Sequence, residues 1–480
     1  SPSSSAAQPH LPPTADRAGL RPGRLGVTAI IFFVIAAVAP IAAIVGASPI
    51  VFSANGATAP MVYLLAAVLF ALFSAGYVAM SRHISNAGGF VAYIARGLGS
   101  RTATAGAGLA VLFYGSLQAA LWALFSVFAH DTIASKLGID IPRPLLMFVV
   151  LVVVTGLTML GIDLSLKVLG VLVALEIAVF VLLDSVIIFG GGGTSGNSLA
   201  AFDPSALVSP GLGVAFLFAF ACFTGFEATV VFSEEAKDPR RTIPRAIYGS
   251  IAFIGVFYAV TTWAIGNSIG NDAVQEAAAA DPAGLIFAVA ENEVGPWLAT
   301  TLEILVVTSF IAMLIGFQNM FARYLFALGR ANVLPHKLGT TTRSSGSPAV
   351  AAAVVGIINA VVLAGFELAG ADALTVTYSW LLALGTVALI VILILTSVSI
   401  IAFFARTKLE TNPWTTKISP VIAVAGFGYV AYLAISNYGV LLGGQGGTAQ
   451  WLLLLIPVFA LAGFVWATLR PNVNFEAELV

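Results

Sequence analysis

Cysteine is nearly missing: Cys222 is the only one in 480 residues. That excludes an intrachain disulfide and any cysteine-built metal site. Charge is scarce too, at 9% of residues against 59% hydrophobic, with a mean hydropathy of +1.01. A soluble fold cannot hide that much apolar surface, so the chain reads as a polytopic membrane protein. There is no HExxH, no Walker loop and no cysteine–histidine cluster, and His10, His83, His130 and His336 are scattered. Gly88-Gly89 follows no strand, so it is a loop turn and not a phosphate cradle. The expectation is therefore no enzyme, no cofactor, no metal and no nucleic-acid partner, and no ATP-driven step within this chain.

What is present is a series of apolar runs. A helical span needs about 20 such residues. Twelve runs qualify: roughly 25–52, 57–80, 102–130, 143–161, 166–190, 211–233, 245–268, 296–329, 347–366, 372–404, 414–437 and 449–469. Residues 1–22 are rich in Ser, Pro and Ala without an apolar run, and read as a disordered cytoplasmic tail, not a cleaved signal peptide. Residues 471–480 read as a second tail on the same side, because an even count returns the chain there.

Basic residues then set the orientation. With both termini inside, every Lys and Arg falls on the cytoplasmic side except Lys136 and Arg143. The inside set includes Arg17, Arg21, Arg24, Lys237, Arg240, Arg241, Arg245 and Arg343. The outer loop 270–295 carries Asp272, Glu276, Asp281, Glu291 and Glu293 and no basic residue. The expected location is the plasma (inner) membrane, multi-pass, with cytoplasmic termini.

Two spans carry breakers. In the sixth, Cys222-Phe223-Thr224-Gly225-Phe226-Glu227 combines weak helix formers with a mid-span acid. On insertion scales such an acid costs roughly 2.5–3.5 kcal/mol, so it faces a cavity or a partner. In the first, Pro40 removes an amide donor, and Gly46-Ala47-Ser48-Pro49 follows. Each of these spans opens a set of five. Interrupted helices at matching places in two halves point to a midplane transporter site, with amides suited to a carboxylate and carbonyls to an ammonium group.

Three stretches resemble one family. AGYVAMSRHISNAGGFVAYIARGLG is similar to a cytoplasmic loop after span 2, GFEATVVFSEEAKDPRRTIPRAI to span 6 and its loop, and FARYLFALGRANVLPHKLG to the end of span 8. They occur in order, and the chain over residues 25–470 resembles the amino acid–polyamine–organocation (APC) superfamily of permeases. The resemblance implies an all-α protein of twelve transmembrane helices in a five-plus-five, LeuT-like inverted repeat with helices 1 and 6 broken. Residues 23–190 would form the first repeat, 191–410 the second, and 411–470 the peripheral helices 11 and 12. It implies a substrate held between the breaks and flanked by spans 3, 8 and 10. Where many members carry Gly-Ser-Gly in span 1, this chain has Ile41-Ala42-Ala43 after Pro40. In span 6 the matching carbonyls are those of Ala221, Cys222 and Thr224, beside Gly225. Where some members carry a coupling Lys in span 5, this chain has Glu176, which reverses the charge.

The expected coupling residues are Glu176 and Glu227, each with a plain alternative as a buried acid tying spans together. Phe223 is the chosen lid, and Phe317, Tyr114 and Gln118 are pocket residues by position. Asp184 and Glu303 read as interfacial or paired acids. Glu234 and Glu235 are offered as gate partners of the nearby arginines. The leading function is a secondary transporter that moves an amino acid or related amine by alternating access, with protons as the expected coupling ion and sodium as the second option. An organic amine or polyamine carrier is the runner-up, and a transporter-like sensor stays open. A channel is disfavoured because no span has a polar stripe.

Overall fold

A computed structural model of the chain describes residues 26–84, 89–162, 166–227, 229, 237–342, 345–441 and 446–470. The tails, Arg17, Arg21, Arg24, Gly88, Glu234, Glu235 and Arg343 lie outside the described residues. All regular structure among the described residues is helical. That is what lipid demands: backbone amides and carbonyls find no water there and must pair within their own segment.

The principal helices are α1 (Val27–Val38), α2 (Ser48–Asn55), α3 (Ala59–Ser81), α4 (Gly89–Leu98), α5 (Ser100–Leu137), α6 (Arg143–Met159), α7 (Leu166–Phe189) and α8 (Leu212–Ala221). After them come α9 (Pro239–Ile269), α10 (Pro296–Arg330), α11 (Ala349–Leu368), α12 (Ser379–Thr407), α13 (Ser419–Ser436) and α14 (Leu455–Leu469).

Among the described residues, nine helical stretches are long and apolar enough to cross a membrane. Eight fall on the expected spans 3, 5 and 7 to 12, and the ninth, Pro40–Ser81, runs through the end of span 1 and all of span 2. The remaining expected spans are shorter helices. α6 has 17 residues, roughly 26 Å at 1.5 Å per residue. α1 and α8 are 12 and 10 residues long and stop at interruptions.

Burial separates centre from rim. The apolar window of the α5 stretch is 78% buried, and that of the final stretch, Gln450–Leu469, only 6%. α5 packs against α10, α12 and α14, and α9 runs along α3. Both basic residues assigned to the outer side are paired across helices. Lys136 on α5 lies 2.8 Å from Glu303 on α10. Arg143 at the start of α6 donates to both carboxylate oxygens of Glu367 on α11, at 2.6 and 2.7 Å, and to Ser126 on α5 at 2.9 Å. Glu303 is thus a paired acid, as the sequence suggested.

Candidate functional site

The first interruption is at Ala39, which has φ 48° and ψ 84°, the left-handed region. The break sits one residue before Pro40, in the turn that a proline disrupts. A proline ring crowds the preceding residue and drives it out of the right-handed helical region, and α1 ends there. Ala39 closes α1 by donating to the Ile35 carbonyl at 3.1 Å. Its own carbonyl accepts from Ala42 at 2.9 Å and from Ala43 at 3.3 Å, starting the next helical segment. That segment widens into a π-turn over Ala43–Ala47 before α2. Pro49 at the start of α2 offers no amide to the preceding turn, which loosens it. Gly46 allows a close approach here: a Cβ would lie 2.5 Å from a Leu124 methyl carbon, so the Leu124 side chain would have to shift.

The second interruption follows α8. The chain turns through Cys222–Gly225, and Gly225 has φ 113°, a conformation that side chains rarely allow. Thr224 folds back, donating its hydroxyl to the Ala221 carbonyl at 2.6 Å and its amide at 3.3 Å. Glu227 is part-buried, and its carboxylate accepts from the Gly225 amide at 2.9 Å. The acid therefore caps the break in its own helix.

Between the two interruptions lies a cavity of about 40 Å³. Its walls are Val38, Ala42, Ala43 and Ala47 of the first broken span, Ala221, Cys222 and Thr224 of the second, Leu117 and Leu121 of α5, Met313 and Phe317 of α10, and Tyr378 and Leu382. No side chain in this wall is an acid or a base. That volume accommodates a few water molecules and is contracted relative to an amino acid.

A second cavity, of about 200 Å³, adjoins it between α1, α7 and α10. Met313 and Phe317 border both and form the partition. Glu176 on α7 lines the second cavity and is 1% exposed. Its carboxylate accepts from the Ile41 amide at 3.1 Å and from the Ser309 hydroxyl of α10. Glu176 thereby joins three elements: the start of the second half of span 1, α7 and α10.

The expected residues divide into three groups. Ala42, Ala43, Ala221, Cys222, Thr224 and Phe317 line the first cavity, and Gly225 and Glu176 line the second. Pro40 and Ile41 are buried beside them and shape the break. Phe223, Tyr114, Gln118 and Glu227 are not in either wall. Phe223 stacks on Phe70 with centroids 5.1 Å apart, inside an aromatic cluster with Phe220 and Phe427. Tyr114 packs on Phe113, Phe321 and Tyr324. Gln118 donates to Gln318 on α10 at 2.5 Å, within the buried scaffold. Gln118 is rotated about 100° from the cavity-lining Leu117 on α5, Tyr114 shares the face of Leu121 but lies two turns away along the axis, and Phe223 sits in the turn after α8. Tyr378, Leu382, Met313 and Ser309 were missed individually. The only hint was that spans 8 and 10 flank the site.

Helices interrupted on either side of a buried cavity, inside a bundle of apolar spans, define a multi-pass membrane protein of the permease kind. Comparison with known proteins agrees: the chain matches the amino acid permease family model over residues 29–446, and it belongs to that family. It is 27% identical over 146 residues to cationic amino acid transporter 7, chloroplastic, of Arabidopsis thaliana, covering 30% of this chain and 24% of the relative. It is 27% identical over 228 residues to the amino-acid permease GAP5 of Candida albicans, covering 45% and 36%. It is 32% identical over 120 residues to the branched-chain amino acid permease BcaP of Lactococcus lactis, covering 25% of each. The matched stretches thus span between a quarter and about a third of these relatives' length. Family members are transporters and not enzymes.

Proposed function

We propose that the protein is a secondary transporter that moves a neutral amino acid with an apolar side chain by alternating access, coupled to protons. In this reading the chain crosses the membrane twelve times, with both termini in the cytoplasm of a cell whose plasma membrane holds it. Residues 23–190 and 191–410 form two inverted repeats, and 411–470 adds two outer helices. The observation that carries the reading is the shared cavity, which takes its wall from both broken helices at once.

The substrate's carboxylate accepts from the Ala43 amide, whose bond to the Ala39 carbonyl, at 3.3 Å, is the longer one and the one to yield. Its ammonium group meets the carbonyls of Cys222 and Thr224, since that of Ala221 already accepts from Thr224. Its side chain lies against Leu117, Leu121, Met313, Tyr378 and Leu382. A wall without an acid weighs against the polyamine alternative, because a second ammonium group would be left unpaired.

Glu176 is the coupling group. Protonation replaces a charge-assisted acceptor by a weaker one at the Ile41 amide and so loosens the second half of span 1 from α7 and α10. Met313 and Phe317 then part, and the contracted cavity opens onto the larger one.

The test is counterflow in proteoliposomes, with leucine, valine, lysine and putrescine compared. Uptake of leucine or valine against unlabelled substrate is expected. Binding without exchange would identify a sensor, and exchange of putrescine alone would replace the substrate assignment.

A further inference from the structure

Asp184 is a buried acid outside the site just described. Asp184 is on α7, five residues before its end at Phe189, or roughly 8 Å along the helix axis. It is only 6% exposed. One carboxylate oxygen accepts from the Thr261 hydroxyl of α9 at 2.7 Å, and the other has no protein partner among the described residues. Asp184 lines a groove of about 370 Å³ between α7 and α9. Every other contributor is apolar except Ser185. The groove is separate from both cavities near the broken helices.

Its rim faces outward. Val181 is 49% exposed and Val256 is 56% exposed, and in a bilayer such side chains meet acyl chains. Phe253 and Phe257 stack with centroids 5.4 Å apart and form a flat apolar wall on the α9 side. A carboxylate on the buried floor of a lipid-facing groove is costly unless a donor meets it, so an acid in this position points to a donor that reaches in from the groove. The complementary ligand has two parts: a chain that fills an apolar slot and a cationic donor within reach of the interface.

We propose that the α7–α9 groove binds a bilayer aminophospholipid, with the primary ammonium of an ethanolamine headgroup paired to Asp184 and an acyl chain along Val181, Phe253 and Val256. A primary ammonium brings three donors to the oxygen that Thr261 leaves free. A choline headgroup carries the same charge without any N–H donor and forms no such bond. The proposal does not depend on what the central cavity carries.

The delipidated, detergent-purified protein is incubated with dioleoyl-phosphatidylethanolamine or dioleoyl-phosphatidylcholine, and retained lipid is counted by native mass spectrometry. Retention of the ethanolamine lipid should be roughly tenfold stronger, the equivalent of one charge-assisted hydrogen bond. Asp184→Asn should bring the two lipids to parity, whereas a merely structural role would lower thermal stability and leave the ratio unchanged. Val256→Trp, at an exposed position, should fill the slot and reduce retention of both lipids. Equal retention by the unmodified protein, or an undiminished preference in Asp184→Asn, overturns the proposal. Retention of dodecylammonium without the ethanolamine lipid overturns it too, since the occupant would then be a free amphiphile. If Asp184→Asn does not fold, the two-lipid comparison and Val256→Trp still decide.

Discussion

Replacing Glu176 by glutamine should preserve the fold and remove the response of transport to a proton gradient. The carboxylate receives two donors, the Ile41 amide at 3.1 Å and the Ser309 hydroxyl. Glutamine keeps one carbonyl oxygen for Ile41, and the Ser309 hydroxyl can rotate to accept from the new amide. Both contacts survive, and the loss is the charge assistance, about 1 kcal/mol. Alanine differs, because it leaves both donors without an acceptor. Each orphaned buried donor costs roughly 1–3 kcal/mol. The adjoining cavity of about 200 Å³ admits water to that spot, so the lower end applies, on the order of 2–3 kcal/mol in all. Thermal melting in detergent should therefore rank the proteins unmodified, glutamine, alanine, with the larger step last. In proteoliposomes, Glu176→Gln should retain counterflow at symmetric pH, while an inward proton gradient no longer drives accumulation. Accumulation equal to that of the unmodified protein would refute the assignment of the coupling group. Melting as low as the alanine variant would refute the hydrogen-bond reasoning.

Three further outcomes are expected. Glu227→Gln retains an acceptor for the Gly225 amide and should stay folded, yet substrate exchange should fall sharply; undiminished exchange would leave Glu227 a structural cap. Phe317→Ala removes much of the partition between the two cavities, so efflux without counter-substrate should rise several-fold in a proteoliposome leak assay, and an unchanged leak would mean Phe317 is not the barrier. Asp372, just before the stretch Ala373–Thr407, accepts from the Leu374 amide and from the Thr375 amide and hydroxyl. Burial favours its neutral form, but those hydrogen bonds and the Arg143 charge outweigh burial and hold the carboxyl below its ordinary range. A depressed folded value contributes stability above the unfolded value and loses it as pH falls through the folded one. Asp372→Ala should thus cost about 1 kcal/mol at neutral pH, and the deficit measured by chemical denaturation should shrink in acid.

Much of the bundle was legible because a bilayer imposes length and apolarity on each span, and both are written locally. The breaks at Pro40 and Gly225 were legible for a similar reason: a missing amide and a missing Cβ act within one turn. The strain of Pro40 falls on Ala39, in the turn before it, where a proline ring crowds the preceding residue. Phe223 was less accessible to reasoning. It stacks on Phe70 of α3, which also packs against Phe220 and Phe226, and that meeting is not written in the local pattern. Glu176 was identifiable as an acid in an apolar span, but its partners Ile41 and Ser309 are 135 and 133 residues distant. No periodicity encodes such a meeting.

By itself, the chain's pattern of apolar runs, breakers and sparse charge determined that this is a multi-pass helical membrane protein, with helix breakers in its first and sixth apolar runs. It could do so because hydrophobic length and backbone capacity are properties of neighbouring residues. Only the tertiary structure decided which faces meet: Tyr378 and Leu382 toward the cavity, Gln118 toward Gln318, Asp184 beneath a lipid-facing groove. Those outcomes depend on how each helix is rotated about its axis, and rotation is set by the packing of all its neighbours together.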